Sequence, residues 1–368
     1  MSVVFLCGPL CHRPLLDVIL GDSVALSPAF VAEREGWLVD RPGHFALGPR
    51  RGGMVEGVVP DALLPQAAAR LAFYAKVLGL AARKVRVTTA QGTGQGVTYA
   101  LKSTSGEGEF WDAALWLADH AALAVETAVE VMACYGQTPS ARLHARLGPV
   151  MVRAASRLRA QAGQGPAALR RAPGEIAVQQ TRQPYAYFFS VEEYDLSFRR
   201  FDGTMSPVIT RAVFISGDAV TVLPYDPVRD RVLLVEQVRA GPFGRGDGNP
   251  WQLEAIAGRI DPGETPEDCA RREAVEEAAL TLGDLLPVAN YYPSPGAKTE
   301  FLYSYVALTD LPDGAAGVFG VEDEAEDIRG HLLSFDQAMA LVETGEIQNA
   351  PLLLTLFWLQ RERGRLRA

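Results

Sequence analysis

The sequence predicts a chain of the α+β or α/β class that is built from two domains. Its 368 residues are many for one domain and sufficient for two. In both halves, segments rich in β-branched residues alternate with segments of helical periodicity. Between the halves, residues 161–184 are rich in Gly, Ala, Pro, Gln and Arg, which is typical of a linker. We therefore predict a domain over residues 1–165, a linker over 166–184 and a domain over 185–368.

The composition narrows the class of protein. An apolar content of 48% and a charged content of 21% are ordinary for a soluble globular chain. A net charge of −9 argues against a nucleic-acid-binding surface. The longest apolar tract, residues 113–134, is interrupted by charged residues, and residues 1–14 lack a basic lead, so neither a membrane span nor a signal peptide is expected. We expect a cytoplasmic protein that binds neither nucleic acid nor membrane.

The cysteines favour reduced thiols over a disulfide framework or a metal site. They are scattered along the chain at Cys7, Cys11, Cys134 and Cys269. The spacing of Cys7, Cys11 and His12 is one residue away from that of a haem attachment, and no second ligand pair follows.

The first half is expected to form a small sheet or barrel with additional helices. A buried strand is predicted over residues 2–7, and further strands over 45–47, 55–59, 84–89 and 97–101. Helical spacing is found over residues 15–20, 61–79, 110–135 and 138–162. The pattern Gly92-x-Gly94-x-Gly96 could hold a phosphate, but a hairpin turn is favoured because no helix follows it.

The second half is expected to alternate strands with helices. Asp202-Gly203 is a strong hairpin signal after a strand that ends near residue 201. Further strands are predicted over residues 209–215, 219–224, 232–239, 251–257, 301–308 and 332–335, and helices over 335–341 and 350–360.

One helix in this half is strongly signalled at its start. Thr265 is a predicted N-cap, Pro266 suits the first helical position, and Asp268 stands where a capping box places an acid. Gly283 is the expected stop. A stripe of small residues on which another element can pack consists of Ala270, Ala274 and Ala278.

The same helix carries a cluster of carboxylates. Residues three and four apart share a helix face, so Glu273, Glu276 and Glu277 are expected to project to one side. Carboxylates this close repel each other unless a cation intervenes, and hard oxygen ligands suit Mg²⁺ or Mn²⁺. A solvated acidic helix is the alternative interpretation of these three residues alone.

The wider pattern resembles the Nudix box. Gly258 is followed at the box spacing by Glu264, by Arg272-Glu273 and by Glu276-Glu277, so that every charged position of the motif matches. Ala279 departs from the motif, where Gly is usual, and we expect this change to lie inside the helix and to favour it. The resemblance implies an α/β/α sandwich with a mixed sheet.

Outside the box, the second half resembles the ADP-ribose pyrophosphatase branch of that family, which several tellurite-resistance proteins also resemble. The resemblance is carried by residues 188–190, 200–206, 234–239, 250–251, 253–254, 294–296 and 324–329. It implies Mg²⁺-dependent hydrolysis of ADP-ribose to AMP and ribose 5-phosphate. The alternatives are hydrolysis of another nucleoside diphosphate sugar, and a sensor or tellurite-resistance protein with vestigial hydrolysis.

The resemblance also implies roles for single residues. The carbonyl of Ala257 with Glu273 and Glu277 would bind Mg²⁺ (or Mn²⁺), while Glu264 and Glu276 support the cluster and Glu276 is a candidate further ligand among the catalytic acids. Glu326, on the acidic loop 322–327, would join the metal site and orient or deprotonate the attacking water; a solvated acidic loop is the alternative. The residues implied to contact substrate are Phe188 (stacking on adenine), Arg211 and Arg239 (diphosphate or terminal ribose), Ser294 and Glu300.

Some of these roles have structural alternatives. Arg211 could form a surface ion pair, and Phe188 could serve core packing. Members of the branch form dimers that exchange the N-terminal strands of the domain, so the resemblance implies a homodimer in which Phe188 and Arg211 can serve the partner's site.

The first half resembles a gamma-glutamylcyclotransferase-like domain. The resemblance is carried by residues 5–10 (FLCGPL) and 70–75 (RLAFYA). Cys7 stands where that family has Tyr, and Ala75 stands where it has its catalytic acid. Because a methyl group cannot transfer a proton, we expect this domain to be inactive as a cyclotransferase. A bifunctional enzyme is the competing interpretation.

Overall fold

The computed structural model describes residues 3–39, 43–101, 109–163, 168–171, 174–320 and 327–368. The chain divides into two compact units, Met1–Pro166 and Ala167–Ala368. This division falls within the Gly- and Pro-rich stretch at residues 161–184. Within the described ranges, no helix combines the length and the apolar character that crossing a membrane requires.

The first unit is built on a barrel-like sheet. Its strands are β1 (Val3–Val4), β2 (Leu6–Cys7), β3 (Leu26–Leu38), β4 (Phe45–Pro60), β5 (Ala81–Thr89), β6 (Gly92–Ala100) and β7 (Glu109–Phe110). The sheet order is β1-β6-β5-β3-β4-β2, with β7 beside β3. Because β1 and β2 are separated by one residue, the first strand segment nearly closes the sheet between β6 and β4. The predicted barrel-like α+β unit is therefore confirmed.

The helices of the first unit differ from the prediction over residues 110–162. They are α1 (Arg13–Leu20), α2 (Pro65–Val77), α3 (Ala113–Asp119), α4 (Ala121–Ala133), α5 (Ser140–His144) and α6 (Leu147–Ala162), with a 3-10 helix at Gly8–Cys11. Two long helices were expected where the structure has four shorter ones. Pro149 explains one break, because it has no N–H to donate to the carbonyl of Ala145 and is tolerated only in the first turn of a helix, so α6 begins at Leu147.

The second unit combines a small sheet with a large mixed one. Its strands are β8 (Ile176–Ala186), β9 (Ser190–Phe198), β10 (Ile209–Ile215), β11 (Ala219–Asp226), β12 (Arg231–Val238), β13 (Trp251–Glu254), β14 (Ile256–Arg259), β15 (Leu285–Tyr291), β16 (Leu302–Leu308), β17 (Val318–Phe319) and β18 (Ile328–Ser334). The helices are α7 (Ala240–Arg245), α8 (Pro266–Ala278), α9 (Phe335–Thr344) and α10 (Ala350–Leu366). The strands β8, β9 and β10 form an antiparallel sheet of their own.

The large sheet lies between two layers of helices. Its order is β15-β16-β11-β12-β18-β17, in which β16 and β11 are parallel and every other adjacent pair is antiparallel. Successive residues of β12 alternate between the two faces: Leu233 and Val235 pack with α8, and Val232 and Leu234 pack with α9 and α10. The α/β/α sandwich with a mixed sheet is confirmed.

The predicted linker is wrong over residues 176–184, which belong to β8. The β-branched residues Ile176, Val178 and Thr181 suit a strand, and β8 pairs antiparallel with β9. Its polar Gln and Arg residues are compatible with a strand that is largely exposed to solvent. A polar composition therefore did not distinguish a linker from an exposed edge strand here.

Candidate active site

The box helix α8 begins and packs as the sequence predicts. Thr265 is the N-cap, and its hydroxyl accepts a hydrogen bond from the backbone N–H of Asp268 at 3.1 Å. Its small-residue stripe faces the large sheet and is buried: Ala270, Ala274 and Ala278. Because these alanines pack against the large sheet, the carboxylates of Glu273, Glu276 and Glu277 lie at the edge of the contact between α8 and the sheet.

Two of these carboxylates lie against the short segment Ala257–Gly258 of β14. A Cβ atom added to Gly258 would lie 1.8 Å from Oε1 of Glu273, so a side chain at this position would displace the Glu273 carboxylate. Glu277 is buried, with 2% of its surface exposed, and accepts hydrogen bonds from the N–H of Ala257 at 3.1 Å and from Nε2 of Gln237 at 3.3 Å. The fold therefore brings Glu273 and Glu277 to one backbone segment.

Arg272 organises the remaining carboxylates. Its guanidinium makes two hydrogen bonds to Glu264, at 2.9 and 3.0 Å, and contacts Glu273 at 2.7 Å and Glu276 at 3.0 Å. It also donates to the carbonyl of Arg259 at 3.0 Å, which fixes α8 to β14. Each guanidinium contact of this kind is charge-assisted and directional.

The pKa values of Glu264 and Arg272 follow from their contacts. Burial alone would raise the pKa of Glu264, but hydrogen bonds from Arg272 and from the N–H of Asp261 outweigh it and lower that pKa below its usual range. The hydrogen bond with Glu264 raises the pKa of Arg272. Both groups are therefore charged at neutral pH.

The three helix acids do not form one solvent-facing group. Glu277 is buried, Glu273 is mostly covered, and Glu276 is the most exposed of the three. Among the described residues, no group of three His, Cys, Asp or Glu side chains is gathered as a metal site. The predicted fourth ligand, Glu326, and most of the acidic loop 322–327 lie outside the described residues.

Arg239 lies at the end of β12 and is held by a carboxylate. Its Nε lies 3.1 Å from each oxygen of Glu254, and its Nη2 lies 2.6 Å from one of them. Glu254 is buried, so this pair fixes the guanidinium in place. Its position at the end of the strand beside Gln237 brings Arg239 to the same side of the sheet as Glu277.

Of the other predicted substrate residues, Arg211 and Ser294 are exposed and Glu300 is partly buried. Arg211 is exposed on β10, where its side chain donates to the carbonyl of Thr210. Ser294 is exposed, and its carbonyl accepts the N–H of Lys298 at 3.0 Å. Glu300 forms an ion pair with Lys298 at 2.9 Å. Each of these contacts joins residues that lie within four positions of one another in the sequence.

Phe188 is not a core residue. Its side chain is 56% exposed, and its ring packs against the guanidinium of Arg259 and the ring of Phe189. The core-packing alternative for Phe188 is therefore wrong, and the exposed ring is accessible to a ligand.

Sequence comparison identifies the family. Residues 216–356, which include the whole box, match the model of the NUDIX domain. An ADP-ribose pyrophosphatase from Escherichia coli (strain K12) is 44% identical to this chain over 176 residues, which are 48% of this chain and 83% of that protein. The chain belongs to the Nudix family. The prediction of a Nudix hydrolase from the box is thereby confirmed.

Other similar proteins include enzymes named for two different substrates. An ADP-ribose pyrophosphatase from Haemophilus influenzae (strain ATCC 51907 / DSM 11121 / KW20 / Rd) is 37% identical over 188 residues, covering 50% of this chain and 85% of that protein. A GDP-mannose pyrophosphatase from Enterobacter sp. (strain 638) is 36% identical over 151 residues, covering 41% of this chain and 77% of that protein. A crystal structure of an ADP compounds hydrolase has 21% identity and a TM-score of 0.43, covering 54% of this chain and 100% of that one.

The Nudix box of this chain ends differently from the sequence prediction. Helix α8 stops at Ala278, and Ala279 adopts the left-handed conformation with φ 51° and ψ 34°. The expected stop at Gly283 is therefore wrong, and so is the expectation that Ala279 lies inside the helix. This position favours glycine, because an L-residue with a Cβ is strained at positive φ.

Sequence reasoning assigned no role to three residues that the Nudix fold brings to this region. Gln237 contacts Glu277, Glu254 holds Arg239, and Arg259 lies against Phe188. Gln237 carried a usable signal, because it is a polar residue in the otherwise apolar strand 232–238 and occupies a face that is buried at Val235. Arg259 carried no comparable signal, since its aromatic partners lie about seventy residues earlier in the sequence.

Proposed function

We propose that this Nudix hydrolase cleaves the diphosphate of ADP-ribose to give AMP and ribose 5-phosphate, with a divalent metal ion. The observation that carries the proposal is the placement of Glu273 and Glu277 against Ala257–Gly258, in a chain 44% identical over 176 residues to an ADP-ribose pyrophosphatase. The same similarities support the broader reaction class, hydrolysis of nucleoside diphosphate sugars, because relatives named for ADP-ribose and for GDP-mannose both match.

The donor chemistry fits a hard divalent cation. Carboxylates and a carbonyl are the ligands that Mg²⁺ and Mn²⁺ prefer. Glu273, Glu277 and the carbonyl of Ala257 would hold the ion, with Glu326 as a further ligand or as the base. The absence of a Cβ at Gly258 leaves the space that Glu273 occupies. When bound, such an ion neutralises diphosphate charge and lowers the pKa of coordinated water.

The chain's own residues orient this set. Arg272 holds Glu264 and Glu276 beside Glu273. These contacts position a proposed metal ligand, so the loss of one of them would shift that ligand and would not remove a contact with the substrate. Gln237 and the N–H of Ala257 orient the buried carboxylate of Glu277. Supporting groups of this kind commonly affect activity by about ten- to a hundredfold.

Positive charge and an exposed ring provide the substrate contacts in this proposal. Arg239, fixed by Glu254, would bind a phosphate or the terminal ribose through its planar guanidinium, and Arg211 would do the same from β10. Phe188 would stack on adenine, since its ring is exposed. Ser294 and Glu300 would contact the remainder of the substrate. A carboxylate at Glu326 would orient or deprotonate the water.

We also propose a homodimer in which the sheet of β8, β9 and β10 is exchanged. This sheet and the turn between β8 and β9 carry exposed apolar side chains, which are candidates for burial in a dimer: Ile176, Val178, Tyr185, Tyr187 and Phe198. Sedimentation at micromolar concentration should give twice the mass of the 39.7 kDa chain. A monomer under those conditions would contradict this part of the proposal.

The first unit is proposed to be a cyclotransferase-like domain without that activity. Ala75 is buried in α2, and its methyl group, which lies in the apolar cluster with Leu71 and Tyr74, cannot transfer a proton. Release of 5-oxoproline from a gamma-glutamyl substrate would overturn this view.

The four cysteines are free thiols, which supports the proposed cytoplasmic location. A link to tellurite resistance is kept as the alternative function.

The test is AMP release from ADP-ribose with Mg²⁺, compared among the unmodified chain, Glu277→Gln and Glu326→Gln. Both substitutions keep the size of the side chain and remove its charge, so each should lower kcat by more than about a hundredfold while the protein stays folded. A parallel panel with ADP-glucose and GDP-mannose ranks the substrates. Absence of hydrolysis by the unmodified chain across the panel would refute the proposed hydrolase activity and favour the alternative of a sensor.

A further inference from the structure

A cation packs against two aromatic rings next to the Nudix box. The guanidinium carbon of Arg259 is 4.6 Å from the ring centroid of Phe188 and 4.6 Å from that of Phe189. The two rings meet edge to face at 5.0 Å, and Phe189 packs on Phe214 at 4.5 Å. We call these four residues the stacked-arginine cluster. Both guanidinium distances are within the range of cation–π attraction.

The backbone of Arg259 is fixed to the box. Its carbonyl accepts hydrogen bonds from Nη2 of Arg272 at 3.0 Å and from Sγ of Cys269 at 3.2 Å, both on α8. It directly follows Gly258, whose backbone lies against Glu273. Arg259 therefore belongs to the strand against which the carboxylates lie, one residue after the segment Ala257–Gly258.

The rings of the cluster come from a separate part of the unit. Phe188 and Phe189 lie between β8 and β9, so the cation–π contact connects the small sheet to β14. Exchange of this sheet in the proposed dimer would form the same contact between the two chains. Phe188 is 56% exposed even with the guanidinium against its ring, which leaves ring surface open to solvent. Exposed aromatic rings stack with nucleobases, because every base has a π face.

We propose that Arg259 is a positioning residue that holds Phe188 and Phe189 in place to stack with the nucleobase of the substrate. This role rests on the proposed function insofar as the substrate carries a base linked to a diphosphate. The expected effect is on recognition of the base and not on cleavage of the diphosphate, since Arg259 acts through the aromatic rings. Loss of the cation should leave the box carboxylates in place and free the rings to move.

The test measures binding of two products, of which only one carries a base. Calorimetry with AMP and with ribose 5-phosphate is performed on the unmodified chain, Arg259→Met, Arg259→Lys and Phe188→Leu. Arg259→Met should weaken AMP binding by about three- to tenfold and leave ribose 5-phosphate binding unchanged. Arg259→Lys retains the charge and should restore part of the affinity. Phe188→Leu should weaken AMP selectively as well.

A matched control is available within the same unit. Arg171 lies over the exposed ring of Phe201 at 5.3 Å, and neither residue has a place in the proposed site. Arg171→Met removes a contact of the same type and should change neither AMP binding nor hydrolysis. In steady-state assays with ADP-ribose, Arg259→Met should raise KM and leave kcat within about twofold, a split that general damage to the fold would not give.

The outcomes separate this role from the proposed hydrolysis. Unchanged AMP affinity in Arg259→Met, or an equal loss for AMP and ribose 5-phosphate, would overturn the role of Arg259. Failure of the unmodified chain to bind AMP would overturn it as well. If the unmodified chain binds AMP in an Arg259-dependent manner but does not hydrolyse ADP-ribose, the proposed reaction fails and the base-stacking role stands.

Discussion

Each unit of the molecule contains a network of Arg and Glu side chains, and the two networks differ in their balance of charge. In the first unit, Arg153 and Arg157 on α6 pair with Glu126 and Glu130 on α4, so two cations meet two anions. In the second unit, the single guanidinium of Arg272 contacts three carboxylates, those of Glu264, Glu273 and Glu276. A fourth carboxylate, Glu277, lies buried on the same helix.

The difference separates a structural network from a site. A balanced network satisfies its own charges and fixes two helices to each other. Carboxylates in excess are unfavourable when partly buried, unless a further cation neutralises them. The divalent ion proposed above would supply such a cation to the box carboxylates, whereas the described pairs between α4 and α6 match each arginine with a glutamate. Substitutions in the first network should therefore change stability, and substitutions in the second should change activity.

The largest effect on stability is expected from breaking the balanced network. Arg153→Met removes a nearly buried partner of Glu130, whose side chain is 9% exposed. Leaving a buried carboxylate with fewer partners should lower the free energy of unfolding by about 3 kcal/mol. Urea unfolding measures the loss, and hydrolysis per folded molecule should be unchanged. Arg157→Met also removes a partner of Glu130, but it should cost less than Arg153→Met because Arg157 is 35% exposed and Arg153 is 4% exposed; equal costs would contradict this explanation.

The largest effect on activity is expected at Gly258. In Gly258→Ala the new methyl group would lie 1.8 Å from Oε1 of Glu273, so the carboxylate must move away from Ala257–Gly258. We expect kcat with Mg²⁺ to fall by about a hundredfold or more, with a smaller change in stability. Gly241→Ala is the control, since a Cβ there meets nothing within 4 Å. Comparable activity in the two variants would show that the placement of Glu273 does not matter.

Much of the second unit could be predicted, because its signals are local. The N-cap at Thr265, the alanine stripe of α8 and the alternation along β12 each depend on residues within a few positions of one another. The spacing of Gly258 and Glu273 is local too, and it indicated the family before any contact was known. The identities of the box carboxylates followed from that motif.

The features that were missed depend on distant pairing or on backbone conformation. Strand β3 (Leu26–Leu38) contains Pro, Glu, Arg and Gly, so its composition does not indicate a strand, and it is stabilised by pairing with β4 and β5. Strand β8 is likewise stabilised by β9. The pairing of Arg259 with Phe188 joins residues far apart in the sequence. No local pattern reports such contacts.

A third network, around Asp230, provides a pH test of intermediate size. Hydrogen bonds from Arg363 lower the pKa of Asp230, outweighing burial, and Tyr225 contributes a further bond at 2.9 Å. A lowered pKa gives stability that is complete above the unfolded value near 3.8 and is lost as the pH falls through the folded value. Asp230→Asn should therefore cost about 2 kcal/mol at pH 6, and the difference from the unmodified chain should shrink below pH 3.8.

The Asp230 measurement is urea unfolding at several pH values between about 3 and 6. Asp336→Asn is the control, because Asp336 also pairs with Arg363 but its side chain is 80% exposed. It should cost less than about 1 kcal/mol throughout. A difference between Asp230→Asn and the unmodified chain that stays constant as the pH falls would mean that the charge of Asp230 does not contribute.

The smallest effect is expected from a substitution at Ala279, and it is an increase in stability. This residue has φ 51° and ends α8 directly after the carboxylates, where its N–H bonds to the carbonyls of Ala274 and Val275. Glycine adopts this conformation without strain, so Ala279→Gly should raise the free energy of unfolding by about 1 kcal/mol. Ala278→Gly, inside the same helix, should lower it by about the same amount. Because the box carboxylates precede this turn, Ala279→Gly should leave KM for ADP-ribose unchanged, and a stability change of the opposite sign would show that the left-handed end of α8 is wrong.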